Sequence, residues 1–376
     1  MKVAVIGAGI GGLTVAMALK KAGIPFRIFE AAPVIQPVGA GIIIANNAMQ
    51  VFRYFGIDQA VSQKGNPIRV TNLAKPDFTP LSYIPLHSFE KKFQLQNHAI
   101  HRADLHRILM DTVGNEYIDT NKKLTDIRRN LSAYELFFED GSVITAEFII
   151  GADGIKSIVR QLLFNENVYR NAGQSCWRGV LNFQLPESYR HELVEAWGRG
   201  RRFGFVQINE REVYWYLLTN TDLLVHNASL PDLVHSFHPL ATQLIKNTSA
   251  DKIIRADLYD IKPVHRWYNN KVCLLGDAAH ATTPNLGQGA CQAIEDAYVL
   301  SRLLEKNSIE KSMRLYPEIR RKKAHGVVNL SWNFGKIAHL NHPFAVSVRN
   351  MLLRATPLKA NLRQMNGLFT LDEVEE

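Results

Sequence analysis

Cysteine is scarce: Cys176, Cys273 and Cys291 are the three among 376 residues, far apart and outside any C-x-x-C pattern. A disulfide scaffold and a cysteine-bound zinc site are left without support, and a reducing, cytoplasmic setting is expected. The 13 histidines form no H-E-x-x-H or similar spacing, so no metal is expected. Long apolar runs are also missing. None approaches the roughly 18–20 residues of a membrane-spanning helix. Acids are outnumbered, 35 Asp and Glu against 44 Lys and Arg, leaving a net charge of +9. Such a surplus suits nucleic acid, an anionic membrane or anionic small molecules, and composition does not choose among them. A hydrophobic share of 46% excludes a disordered or fibrous chain. At roughly 100–200 residues per domain, the length predicts two or three domains.

Residues 1–18 imitate a secretory signal, with Lys2, an apolar stretch and small residues at Ala16 and Ala18. Gly7, Gly9, Gly11 and Gly12 argue against it, because they would break a signal helix and suit a tight strand-to-helix turn. Lys2 to Ile6 reads as a buried strand, and Ile10, Leu13 and Met17 have helical spacing. Between them lies G-x-G-x-x-G: Gly7 permits the turn, Gly9 admits a pyrophosphate, and Gly12 lets the helix pack closely. The helix N-terminus then offers its N–H groups to phosphate. A second strand, Pro25 to Phe29, ends at Glu30, 18 residues beyond Gly12, where a carboxylate can accept both ribose hydroxyls of an adenosine. This pattern predicts a dinucleotide site and fits FAD and NAD alike.

A later stretch, Lys271 to His280, is another apolar strand ending in Gly276-Asp277. Pro284 and the glycine-rich Gly287-Gln288-Gly289 follow, opening a helix through Ala293 and Ala297. Asp277 suits a sugar-like hydroxyl, and the helix opening suits an anion. Between the two glycine motifs, Gly151-Ala152-Asp153-Gly154 follows an apolar strand and precedes Ser157 and Arg160. Arg102-Ala103-Asp104-Leu105 opens a further helix, its arginine suited either to phosphate or to pairing with Asp104.

The string GDAAH-x3-P-x2-GQG, together with the Asp153-Gly154 motif, resembles the class A flavoprotein monooxygenases, the aromatic hydroxylases built on the para-hydroxybenzoate hydroxylase fold. The resemblance spans about residues 1–325. It is nearest the branches containing zeaxanthin epoxidase, salicylate hydroxylase and a urate-oxidising FAD enzyme, as Cys176-Trp177-Arg178-Gly179 and Glu195-Ala196-Trp197-Gly198 suggest. It implies an FAD site made by Gly7, Gly9, Gly11, Gly12, Glu30, Ala31, Ile43, Arg102, Leu124, Asp153, Asp277, Pro284, Gly287, Gln288, Gly289, Ala290 and Cys291. Asp277 would bind the ribityl chain, Gly287 to Cys291 would lie along the flavin pyrimidine, and Gly39 to Ile43 would pass near the ring.

The expected architecture is α/β. A Rossmann-like FAD-binding domain with a parallel sheet (1–70, 98–165 and 270–310) is interleaved with a mostly antiparallel substrate domain (71–97 and 166–269), and a helical region (311–376) follows. Within the second domain, 174–183, 202–209 and 212–220 read as strands, with a turn over Asn209 to Glu212. Alternation places Arg202, Gly204 and Val206 on one face and Phe203, Phe205 and Gln207 on the other. Arg202 is thus a candidate for meeting an anionic or carbonyl-bearing substrate or a rim residue, and Tyr214 and Trp215 are candidate aromatic walls or core. His98, His101 and His280 read as structural, and no catalytic base is identified.

The resemblance implies that NADH or NADPH reduces FAD, that O2 is the co-substrate, and that a C4a-hydroperoxyflavin hydroxylates or epoxidises an aromatic, heteroaromatic or polyene small molecule. It also implies a monomer or weak homodimer. Alternatives are a prenyl-lipid reductase of the same fold or a non-catalytic FAD-binding sensor; the Trp-x-Trp-x-Ile-Pro string of the fold's halogenases is missing. The basic surplus is local. Residues 311–365 hold eleven Lys and Arg against Glu318 alone, whereas 366–376 hold four acids and no base. The cluster Arg320 to Lys323 reads as a solvated helical face packed against the FAD domain, with lipid or partner contact as its alternative and no nucleic-acid module beside it.

Overall fold

The computed structural model describes residues 1–35, 40–130, 132–164, 169–224 and 229–374. Gly39, the 165/166 domain boundary and the terminal Glu375 and Glu376 lie outside them. Val3–Ile6, Phe26–Phe29, Phe148–Gly151 and Val272–Leu274 are short apolar runs, as strands covered on both faces require. They pair in parallel. With Ile118–Asp119 at one edge and Tyr268–Asn269 at the other they make a six-stranded sheet, in which Val3–Ile6 lies between Phe148–Gly151 and Phe26–Phe29. Helices Ile10–Lys21, Arg102–Val113 and Gly289–Leu304 pack beside it.

A seven-stranded sheet stands opposite. Its order is Ile254–Ile261, Tyr169–Asn182, Glu212–Asn220, Arg201–Gln207, Glu192–Trp197, Val70–Ala74 and Pro80–Pro85. It is antiparallel except where Glu192–Trp197 runs parallel to Val70–Ala74. At the turn after Arg201–Gln207, Asn209 Oδ1 accepts the N–H groups of Arg211 and Glu212 at 2.9 and 2.8 Å. Strand alternation gives the sheet two different faces. Phe203, Phe205, Val213, Trp215 and Leu217 enter a second core with helix Pro239–Lys246, while Val206 joins the cofactor-side core.

The segment 71–97 is divided: its first part joins the seven-stranded sheet, whereas Phe89 packs in the cofactor-side core. The region from 311 packs onto the cofactor side: Met313, Tyr316 and Ala324 of the long helix Ile309–Ala338 belong to that core. Two shorter helices follow, Pro343–Ala355 and Leu358–Phe369, and both pack against Pro80–Pro85.

Candidate active site

The two sheets enclose a cavity of about 1080 Å³. Small-ligand pockets usually measure about 300–1,000 Å³, so there is room for more than a small substrate. One wall is largely backbone. Gly7 has φ +102°, and a Cβ on Gly12 would stand 2.0 Å from the Gly7 carbonyl oxygen, so strand and helix meet without side chains between them. A Cβ on Gly9 would meet nothing within 4 Å, which marks open space above the turn. Helix Ile10–Lys21 has no side-chain cap, leaving its first N–H groups for a ligand.

Glu30 is oriented by two backbone donors, Ala8 N–H at 2.8 Å and Ala32 N–H at 2.9 Å. Lys122 N–H reaches the Glu30 carbonyl at 2.8 Å, bringing the chain that leads to Leu124 alongside Glu30 and Ala31. These three lie beyond the cavity lining. Within the lining stand Gly9, Gly11, Ile43, Arg102, Asp277, Pro284, Gly287, Gln288, Gly289 and Ala290. Among the described residues neither the Arg102 guanidinium nor the Asp277 carboxylate has a hydrogen-bonded protein partner. Both face the open cavity; partial shielding from water by the surrounding protein lowers the Arg102 pKa and raises that of Asp277, and their mutual attraction opposes both shifts. An unsatisfied cation, an unsatisfied acceptor and two uncapped helix starts fit the diphosphate, ribityl chain and ring of FAD.

Two residues of the expected FAD set act behind the wall. Asp153 Oδ2 accepts Ile158 N–H at 2.7 Å and Val159 N–H at 3.1 Å, capping helix Ile158–Phe164, while Oδ1 is buried without a partner. The cavity there is lined instead by Ala152, Gly154, Ile155 and Lys156. Arg160 ties this loop to the Asp277 loop, donating to the carbonyls of Ala278 at 2.8 Å and Ile155 at 2.6 Å. The Cys291 thiol turns toward the Ile43 carbonyl at 3.6 Å, and burial pushes its pKa up to about 12. Any contact it makes with the flavin is through backbone.

The opposite wall is built of side chains. Tyr214 lies over Gly41 and Tyr216 over Gly204: a Cβ on either glycine would come within 2.5 or 2.2 Å of the ring above it. Trp215 does not line the cavity. As the residue between two inward-facing tyrosines it points the other way, stacking on Phe203 at 6.1 Å and donating to Thr248 at 2.8 Å. Arg202 lines the cavity but is largely committed to protein. Its Nε donates to His339 Nε2 at 2.9 Å, Nη1 to Glu195 at 3.0 Å, and Nη2 to Asn285. Burial, then Arg202 itself, holds the His339 pKa well below its usual range, so the ring is a neutral acceptor. Arg202 therefore joins the substrate sheet to the Pro284 loop, its charge balanced by Glu195.

Sequence reasoning missed three cavity residues. Tyr216 donates to Glu195 at 2.6 Å, and burial followed by Glu195 drives its pKa well up. Glu195 is thereby shared with Arg202. Arg178 lines the cavity beside Tyr214, with a buried Nε that has no partner among the described residues. The available signal was period-two alternation: Tyr216 follows Tyr214, and Arg178 follows Cys176, by two residues.

The histidines read as structural are so placed. His280 pairs with Asp296 at 2.6 Å, and His101 accepts Ala103 N–H at its helix start. His98 is buried, and burial lowers its pKa. Behind the flavin loop lies a charge network absent from the sequence reading. Asp296 accepts from Gly276 N–H at 2.9 Å and from Arg320 Nε at 2.8 Å; Arg320 also pairs with Glu295 and Asp372. The expected solvated face at Arg320 to Lys323 is thus corrected: Arg320 is fully buried, and Lys323 pairs with Glu295 at 2.6 Å. Burial alone would raise the Asp296 pKa, but His280 and Arg320 outweigh it and hold the group at about 2.

A family model described as FAD binding domain matches residues 1–330. The chain is 36% identical to an aurachin C monooxygenase/isomerase of Stigmatella aurantiaca, over 94% of each chain. It is 32% identical to a 2-heptyl-3-hydroxy-4(1H)-quinolone synthase of Pseudomonas aeruginosa, over 98% of each. Among solved structures, Klebsiella pneumoniae HpxO complexed with FAD and uric acid superimposes with a TM-score of 0.90 at 25% identity, covering 98% of this chain and 96% of that one.

Proposed function

We propose, from the premise that this chain belongs to the FAD-binding-domain family and is an FAD-dependent monooxygenase using NAD(P)H and O2, that it hydroxylates a 4-quinolone-type ring carrying an aliphatic chain. Bound FAD supplies the redox chemistry, accepting reducing equivalents from NAD(P)H and activating O2. One oxygen atom enters a carbon–hydrogen bond of the ring and the other leaves as water, with NAD(P)H and a proton consumed.

The observation that carries this reading is the gradient across the cavity wall. Over the flavin side stand Arg178, Tyr214, Tyr216, Glu195 and Arg202; toward the sheet edge charged groups give way to Leu193, Leu73 and Ile84 beside the neutral Thr71, Asn72 and Ser82, and then to Leu353, Met365 and Leu368 of the last helices. The polar end suits a ring carbonyl and N–H, with Arg178 placed to donate to the carbonyl. The apolar arm suits an alkyl or prenyl chain. The 2-heptyl-3-hydroxy-4(1H)-quinolone in the name of one bacterial relative, its product, carries a ring carbonyl, a ring N–H and an alkyl chain that match both ends. Buried free Cys176, Cys273 and Cys291 suit a reducing cytoplasm, where NAD(P)H is available.

The test is NAD(P)H oxidation with 2-alkyl-4-quinolones of increasing chain length, urate as control, and product mass under labelled oxygen. A hydroxylated product carrying one labelled atom is expected, with kcat/KM rising about fourfold per added methylene, the equivalent of about 0.8 kcal/mol, until the arm is full. Hydrogen peroxide without hydroxylated quinolone overturns the reading, and a reduced product made without oxygen would favour a prenyl reductase.

A further inference from the structure

We infer that the last two helices, Pro343–Ala355 and Leu358–Phe369, form a docking face for an anionic lipid bilayer. Three large apolar side chains on the first of them stand in solvent: Phe344 is 73% exposed, Met351 61% and Leu352 59%. At positions i, i+7 and i+8 they occupy one side of the helix. Leu358, across the turn, is exposed as well. A soluble surface rarely groups such residues without a partner.

Charge selects the partner. From Ile319 to Leu371 the sequence holds no Asp or Glu, and Arg354, Lys359 and Arg363 are exposed around the apolar group. A second copy of this chain is disfavoured, because a two-fold contact sets a patch against itself and these cations would face one another. The patch lies along one side of an amphipathic helix, flanked by cations. Such a helix inserts about 5–10 Å into a headgroup layer, apolar side chains down and cations against lipid phosphates. Each cation near an anionic surface contributes roughly fivefold to partitioning.

The same helices line the cavity from their other side, through Leu353 and Met365, and the lining there includes the solvent-exposed Thr356 and Gln364. Docking would therefore bring an opening of the cavity to the lipid surface, where a chain-bearing substrate dissolves. The docking itself does not depend on which substrate is used.

The experiment is flotation of the FAD-loaded full chain with vesicles of phosphatidylglycerol and phosphatidylcholine, and with phosphatidylcholine alone. Binding to the anionic vesicles that weakens with salt is expected. Met351→Ser with Leu352→Ser should lower partitioning tenfold or more, roughly the value of two partly buried apolar side chains. Arg354→Glu with Lys359→Glu should abolish the preference for anionic lipid. Both variants should keep their flavin content and their turnover of a short-chain, water-soluble substrate. Failure to float with anionic vesicles overturns the inference, as does equal flotation of the serine variant. So does a wild-type dimer in sedimentation that the serine variant converts to monomer, since a second copy would then cover the face. Turnover on soluble substrate is a separate reading, so the lipid inference and the quinolone assignment can fail independently.

Discussion

The two walls of the cavity are made of different material. The cofactor wall is backbone: a glycine turn, uncapped helix starts and two side chains, Arg102 and Asp277, left without protein partners. The substrate wall is side chain, with Tyr216, Glu195, Arg202 and Asn285 already bonded to one another. Backbone recognises what every family member shares, because peptide groups do not change with sequence. Side chains on alternate strand positions can be exchanged without disturbing the sheet, so that wall can vary its ligand while the other stays fixed.

The sharpest break is Gly12→Val. With the Gly7 carbonyl 2.0 Å from the new Cβ, strand and helix must separate. Loss of essentially all bound flavin is expected, read as absorbance after denaturation; a yellow Gly12→Val protein would show that the turn is not the binding element. Next comes Arg202→Ala, which breaks the seam between the walls. It leaves the partly buried Glu195 with Tyr216 and Trp197 as its remaining donors, a loss of about 1.5–3 kcal/mol in unfolding free energy. Chemical denaturation of the holoenzyme should show that loss, together with a fall in activity.

Tyr216→Phe sharpens the distinction. It removes a hydrogen bond to a charged group, worth about 1.5–3 kcal/mol, and should lower kcat/KM roughly 10- to 100-fold while flavin content stays constant. A matching loss of flavin would mean that the substrate wall also holds the cofactor.

The smallest effect is acid sensitivity that neither wall explains. His325 Nε2–H donates to the Val264 carbonyl at 3.0 Å, and burial lowers its pKa to about 4. An unfolded histidine titrates near 6.5. The unfolded chain therefore binds the additional proton between those values. Stability contributed by the neutral ring is complete above pH about 6.5 and is lost as pH falls toward 4. His325→Gln should flatten this part of a Tm-against-pH curve; an unchanged slope would assign it elsewhere.

The same contrast explains what could be read in advance. Gly7 to Gly12, Glu30 and Asp277 announce themselves because spacing along one chain segment carries their chemistry. Strand alternation assigned Arg202 and Phe203 to opposite faces. Applied consistently, it would also have separated Tyr214 from its neighbour Trp215. Arg320 was illegible for another reason: it sits in a run of four cations, and its partners Glu295, Asp296 and Asp372 are distant in sequence. Nothing local distinguishes a buried ion from a solvated one. Arg178 was visible in its motif, but its lone Nε exists only once the sheet is built.

The interleaved sheet has a consequence for synthesis on the ribosome. When Val3–Ile6 and Phe26–Phe29 have emerged, the strand on the other side of Val3–Ile6 has not, and it arrives only with Phe148–Gly151. Until Val272–Leu274 follows, the growing sheet keeps an open edge able to pair wrongly. Arg320 then waits for Asp372, almost the last described residue, before its full set of counter-charges exists. The nascent chain should need shielding over most of its translation, and the nucleotide cradle, first to be encoded, should be among the last parts to become firm.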